Sequence, residues 1–84
     1  MNQQQQIKAM QTVIHGVLDA VAAGGPMGAP AGIMYAAMAA SGCTLDQFDM
    51  ITQAVCRAGL ISRDGDLFHL LPAGEERRKA MAVA

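Results

Sequence analysis

Between Gln3 and Ala23, apolar residues recur at Ile7, Met10, Ile14, Val17, Leu18 and Val21. This three-and-four spacing predicts an amphipathic helix over residues 1–23. Gln4, Lys8, Gln11, His15 and Asp19 fall largely on its other side, with His15 and Asp19 spaced for a surface pair. Gly16 interrupts the helix at a cost of about 1 kcal/mol against Ala, which suggests that another backbone passes close by. Gly24-Gly25-Pro26 ends the helix, because glycine accepts a left-handed cap and proline forbids continuation. Pro30 suits the first turn of a second helix, expected over 30–41. Gly32, Ala36, Ala37 and Ala40 give it a small-residue face, while Ile33, Met34 and Met38 supply core. The whole run GGPMGAPAGIMYAAM thus reads as a turn and packing device. A phosphate loop would need G-x-x-x-x-G-K-[ST] after a strand, and no Lys or Arg occurs between Lys8 and Arg57.

Gly42 closes the second helix, and Thr44-Leu45-Asp46-Gln47 is a capping box that opens a third, expected over 44–58. Its apolar positions are Leu45, Phe48, Ile51 and Val55, and Gly59 stops it. Two short apolar runs then flank Asp64-Gly65, which predicts a β-hairpin over 60–71. Pro72-Ala73-Gly74 leads into a C-terminal helix over 73–84. The expected core is Ile7, Met10, Ile14, Val17, Val21, Ile33, Ala37, Phe48, Ile51, Val55, Leu60 and Phe68. The fold class is mainly α with a small β-hairpin, an α+β arrangement in a single domain over 1–84.

Composition changes this picture only at the margins. Of the 84 residues 52% are apolar, but alanine is abundant and the aromatic bulk is one Tyr and two Phe. Seven Met fill the gap, which suits closely packed helices with adaptable side chains. A chain this short buries roughly 60% of its unfolded surface, so its core is thin. The formal net charge is -1, neither a strongly basic nor a strongly acidic balance. No basic head and apolar core open the chain, and Pro26 and Pro30 divide its uncharged stretch from Ala20 to Leu45. The expectation is a soluble, cytoplasmic protein with no membrane partner. Cys43 and Cys56, about 20 Å apart along a helix, are read as reduced thiols. With no metal-ligand spacing and no nucleophile–base set, no metal, cofactor or enzymatic activity is expected.

The order helix, glycine turn, helix, capped helix, hairpin resembles the winged helix-turn-helix family of bacterial and phage regulators. CTLDQFDMITQAVCRAGLI is similar to that family's capped third helix and the start of its wing, and DGDLFHLLPAGEE to the return strand and the step into a last helix. The GAPAG and MYAAM segments also look like short phage and mobile-element proteins. The resemblance implies three helices, a two-stranded wing and a C-terminal helix, with the third helix entering the major groove of DNA. Carried over by position, Asp46, Gln47, Asp49, Thr52, Gln53 and Arg57 point outward, and the wing offers Arg63, Asp64 and Asp66. The candidate nucleic-acid contacts are Gln47, Thr52, Gln53, Arg57 and Arg63: the glutamines for adenine edges, the arginines for phosphate or guanine.

Two functions remain open. The resemblance implies a small DNA-binding regulator of transcription. Four aspartates against two arginines on the same surface point instead to a protein–protein interaction module, such as an adaptor or a phage or mobile-element modulator of a host complex. Arg77, Arg78 and Lys79 form the one basic cluster, read as a solvated face partly neutralised by Glu75 and Glu76. A long first helix and the apolar tail Ala80 to Ala84 are the expected interface of a homodimer.

Overall fold

Asn2 caps the first helix from outside: its side chain accepts from the Gln5 amide at 2.9 Å, while Gln5 Oε1 accepts from the Asn2 amide at 3.1 Å. The computed structural model describes residues 2–83. Met1 and Ala84 lie outside the described residues, as do the side chains of Ala82 and Val83, so that part of the expected tail interface is beyond description. The elements are α1 (Gln3–Ala23), a single 3₁₀ turn (Gly25–Met27), β1 (Ala29–Pro30), α2 (Ala31–Ala39), α3 (Leu45–Arg57), β2 (Ile61–Asp64), β3 (Leu67–Leu70) and α4 (Pro72–Val83). The protein is mainly helical with a small antiparallel sheet of order β1-β3-β2, hence α+β.

The third strand, β1, was not expected. The sequence predicts Pro30 in the first turn of α2; it is instead the extended residue preceding that helix, with ψ 132°. Ala29 pairs with Phe68 and Pro30 with Leu67, and the amide of Ala31 donates to the Asp66 carbonyl at 2.7 Å. Proline lacks a ladder donor and is tolerated here because β1 lies at the sheet edge.

The hairpin loop lies one residue further along than expected. Asp64 pairs with Leu67, so the loop residues are Gly65 and Asp66. Gly65 takes φ +60° and, among the described residues, no non-glycine residue has positive φ, which matches the two-residue turn that wants glycine first.

The capping box opens α3 as read: the Gln47 amide donates to Thr44 Oγ1 at 3.1 Å and the Thr44 amide to Gln47 Oε1 at 2.9 Å. Thr44→Ala removes one acceptor from an exposed helix end and is expected to lower stability by about 1 kcal/mol. Urea unfolding with an unchanged m-value is the measurement.

The buried core is Val17, Leu18, Val21, Ala29, Met34, Phe48, Val55, Leu60, Ile61 and Phe68, with Ile14, Tyr35, Met38 and Ile51 packed against it. Phe48 meets Tyr35 edge-on at 5.5 Å and Phe68 at 6.3 Å. Of the expected core residues, Ile14 and Ile51 are half-buried and four are exposed. Ile7 is 50% exposed, Met10 66% and Ile33 68%, and Ala37 is also on the surface. The reason is extent: α1 is about 31 Å long at 1.5 Å per residue, and only its second half reaches the sheet and the other helices. On α2, Met34 faces inward and Ile33 outward. Gly16 has no foreign atom within 4 Å of where a Cβ would stand, so no backbone passes there.

Candidate nucleic-acid interface

The apolar stripe of α3 turns Phe48, Thr52 and Val55 into the core, which leaves Asp46, Met50, Gln53 and Arg57 outward at the opposite helical angles. Thr52 was expected to face DNA. It is 1% exposed, and its hydroxyl donates to the Phe48 carbonyl at 2.9 Å and the Asp49 carbonyl at 3.2 Å. Spacing explains the correction: four residues after Phe48 and three before Val55, Thr52 belongs to the buried stripe. Donation to carbonyls of its own helix lets a hydroxyl sit there without an unsatisfied group.

Gln47 is exposed, but its side-chain oxygen serves the capping box, and it borders the groove between α1, α2 and α3. It stands on a different side of α3 from Gln53.

The remaining three candidates come together. Gln53 and Arg57 from α3 and Arg63 from β2 line one shallow depression of about 250 Å³, floored by Thr52, Cys56 and Phe68. Arg63 is held in place: its Nε donates to the Gly65 carbonyl at 2.8 Å, and its guanidinium lies 5.1 Å from the Phe68 ring centre. The ring's quadrupole attracts a cation placed over its face. Asp66 approaches Arg63 only at 4.0 Å, and Arg57 forms no ion pair among the described residues. Two guanidinium groups and an amide therefore share one outward-facing surface. Burial pushes the Cys56 thiol up, with nearby Arg63 pulling the other way. A thiol raised above its ordinary range stays protonated at neutral pH and is a poor nucleophile.

Acids frame this surface. Asp46 sits in the first turn of α3, where its charge favours the helix dipole. Asp64 and Asp66 flank Gly65 in the hairpin. Met50, 71% exposed, lies on the same outward side of α3, a position that the polar pattern of the sequence does not mark.

The basic cluster of the tail is engaged elsewhere. Arg78 Nε lies 3.1 Å from Asp19 on α1, and its Nη1 lies 3.7 Å from Glu75, which Lys79 also approaches at 3.8 Å. The Arg78–Asp19 pair is an ion pair without hydrogen-bond alignment, since Nε has no bonded partner. Asp19 receives His15 as well, at 3.4 Å. Arg78 thus ties α4 to α1 rather than forming part of a free basic face.

Among the described residues no helix is long and apolar enough to cross a membrane, and no three His, Cys, Asp or Glu side chains are grouped to hold a metal. Comparison with protein-family models, curated proteins and solved structures finds no match to this chain.

Proposed function

We propose that this chain is a small winged helix-turn-helix regulator that binds DNA through α3 and the β2–β3 hairpin. The observation that carries the reading is the convergence of Gln53, Arg57 and Arg63, from a helix and a strand, on one surface where, among the described residues, no carboxylate comes closer than 4.0 Å to Arg63. The element order supports it too: a capped third helix followed directly by a two-stranded hairpin. In that pose Arg57 and Gln53 meet base edges or phosphates, and Arg63, stacked on Phe68, meets the backbone.

A salt titration on mixed-sequence duplex DNA tests the reading. Two arginines per protomer predict a slope of log K against log salt near about -2 for a monomer and about -4 for a dimer. Arg57→Ala is expected to weaken binding by about 1–3 kcal/mol. Asp49→Asn should strengthen it, by removing repulsion from phosphates. Absence of any binding at low salt, unrelieved by Asp49→Asn, sinks the proposal.

A specific observation favours a second reading. Met50, 71% exposed on the outward side of α3, borders apolar depressions between α3 and α1, and an exposed apolar side chain there suits a protein surface better than a polyanion. Under that reading the fold is an interaction module, and the same substitutions disturb a protein complex while DNA binding is absent.

A further inference from the structure

We infer that Arg77, on α4, is a further DNA-binding residue, which meets the phosphate strand on the side of α3 opposite Arg63. Arg77 borders a depression of about 330 Å³ together with Met10 from α1, Met50, Ala54 and Ala58 at α3, and Leu60. It is exposed, and no other residue lining that depression carries a charge. Gln53 and Arg57 line the other depression, the one that Arg63 borders.

The two depressions lie on opposite flanks of α3. Cys56 lines the one with Arg63, and Ala58 lines the one with Arg77. At about 3.6 residues per turn, these two neighbours of Arg57 stand about 100° away from it, one in each rotational direction. Gln53 and Arg57 therefore form a ridge, with Arg63 on one side and Arg77 on the other. A major groove about 12 Å wide admits one α-helix, whose diameter with side chains is about 10–12 Å. A helix seated there has a phosphate strand along each flank. Arg63 faces one strand from the hairpin; Arg77 is the cation that α4 supplies for the other.

Arg77 also differs from its neighbours in being free to make that contact. Arg78 pairs with Asp19 and Glu75, and Lys79 with Glu75. Arg77 forms no ion pair among the described residues. The reason is spacing: helical partners stand three or four residues apart, and those positions around Arg77 are Ala73, Gly74, Ala80 and Met81. Gly74 sets its direction as well. That glycine packs on the Leu60 carbonyl, and Arg77, three residues later, leaves α4 on the same face, beside Leu60 and Ala58. The close docking that Gly74 permits is what carries Arg77 to the flank of α3.

This contact rests on the reading of α3 as the DNA-binding helix, and its test separates the two. Salt titrations on mixed-sequence duplex DNA are run for the parent, Arg77→Gln, Arg77→Lys, Lys79→Gln and Arg57→Ala, with a thermal melt of each. A third phosphate contact makes the slope of log K against log salt about -3 rather than about -2 per protomer. Arg77→Gln should reduce the slope by about 1 and weaken binding alike on different sequences, with the melt unchanged. Arg77→Lys keeps the charge and should keep the slope. Lys79→Gln removes an equal charge from the other side of α4 and should leave the slope as it is. An unchanged slope in Arg77→Gln, beside weakened binding in Arg57→Ala, overturns the contact and leaves the DNA-binding reading standing; Arg77 then only shields the apolar depression. An equal loss of slope in Lys79→Gln overturns the contact too, because the effect is then one of net charge and not of place. No binding by the parent at low salt overturns both, and leaves the depression to a protein partner.

Discussion

Phe48→Ala is expected to abolish cooperative folding at ordinary temperature. Phe48 stands between the other two aromatic rings of the chain, edge-on to both Tyr35 and Phe68, and is fully enclosed. Truncating a buried phenylalanine costs about 3–5 kcal/mol, and each lost ring pair adds about 0.5–1.5 kcal/mol. At 0.05–0.15 kcal/mol per residue, a chain of this size has about 4–13 kcal/mol in total. The loss takes α3 off the sheet, since Phe48 is its largest buried side chain, and Phe68, the ring under Arg63, loses its edge-on partner. A sharp thermal transition within a few degrees of the parent would contradict this packing.

Two glycine-to-alanine substitutions should have opposite signs. Gly74, in the first turn of α4, packs on the backbone of Leu60, and an added Cβ would be driven into the Leu60 carbonyl. That carbonyl accepts the amide of Leu71 at 3.0 Å, so the clash falls on the joint that brings α4 back over the start of β2. Overpacking of this kind costs about 1–3 kcal/mol, and more where backbone must move; the lost hydrogen bond adds about 1 kcal/mol. At roughly 4–8 °C per kcal/mol the melting temperature should fall by more than about 10 °C. Gly16→Ala, in the middle of α1 with open space at its Cβ position, should instead raise stability by up to about 1 kcal/mol. Paired melts of the two variants and the parent are the check. A Gly74→Ala protein as stable as the parent would mean that α4 docks differently.

The candidate site was legible in part, and the pattern of success has a physical cause. Gln53 and Arg57 lie four residues apart on the polar side of α3, and helical geometry alone places them together. Their meeting with Arg63 needed the hairpin register, in which Arg63 pairs with Phe68. Thr52 carries a hydroxyl, which marks a surface group, yet its spacing from Phe48 and Val55 puts it on the buried apolar stripe. Gln47 suits both a capping box and a base contact by sequence, and its oxygen serves the cap. Met50 could have been found from the same helical angles that marked Gln53 and Arg57. Nothing in the local sequence indicated that Arg78 ties α4 to Asp19 on α1, because the partners are 59 residues apart.

What the sequence determined by itself is what neighbouring residues decide among themselves. The capping box at Thr44, the breaks at Gly24 to Pro26 and at Gly59, the amphipathic α3 and the glycine turn of the hairpin all depend on contacts within a few residues. Tertiary structure alone decided how far each pattern is used. The apolar stripe of α1 is continuous from Ile7 to Val21, but the sheet and the other helices cover only its later half. Ala29 and Pro30 become a strand because β3 presents an unpaired edge beside them, not because the dipeptide favours one. Gly74 must be glycine because of a carbonyl fourteen residues away. Periodicity specifies which face of a helix is apolar; the amount of that face taken out of water depends on where the rest of the chain comes to lie.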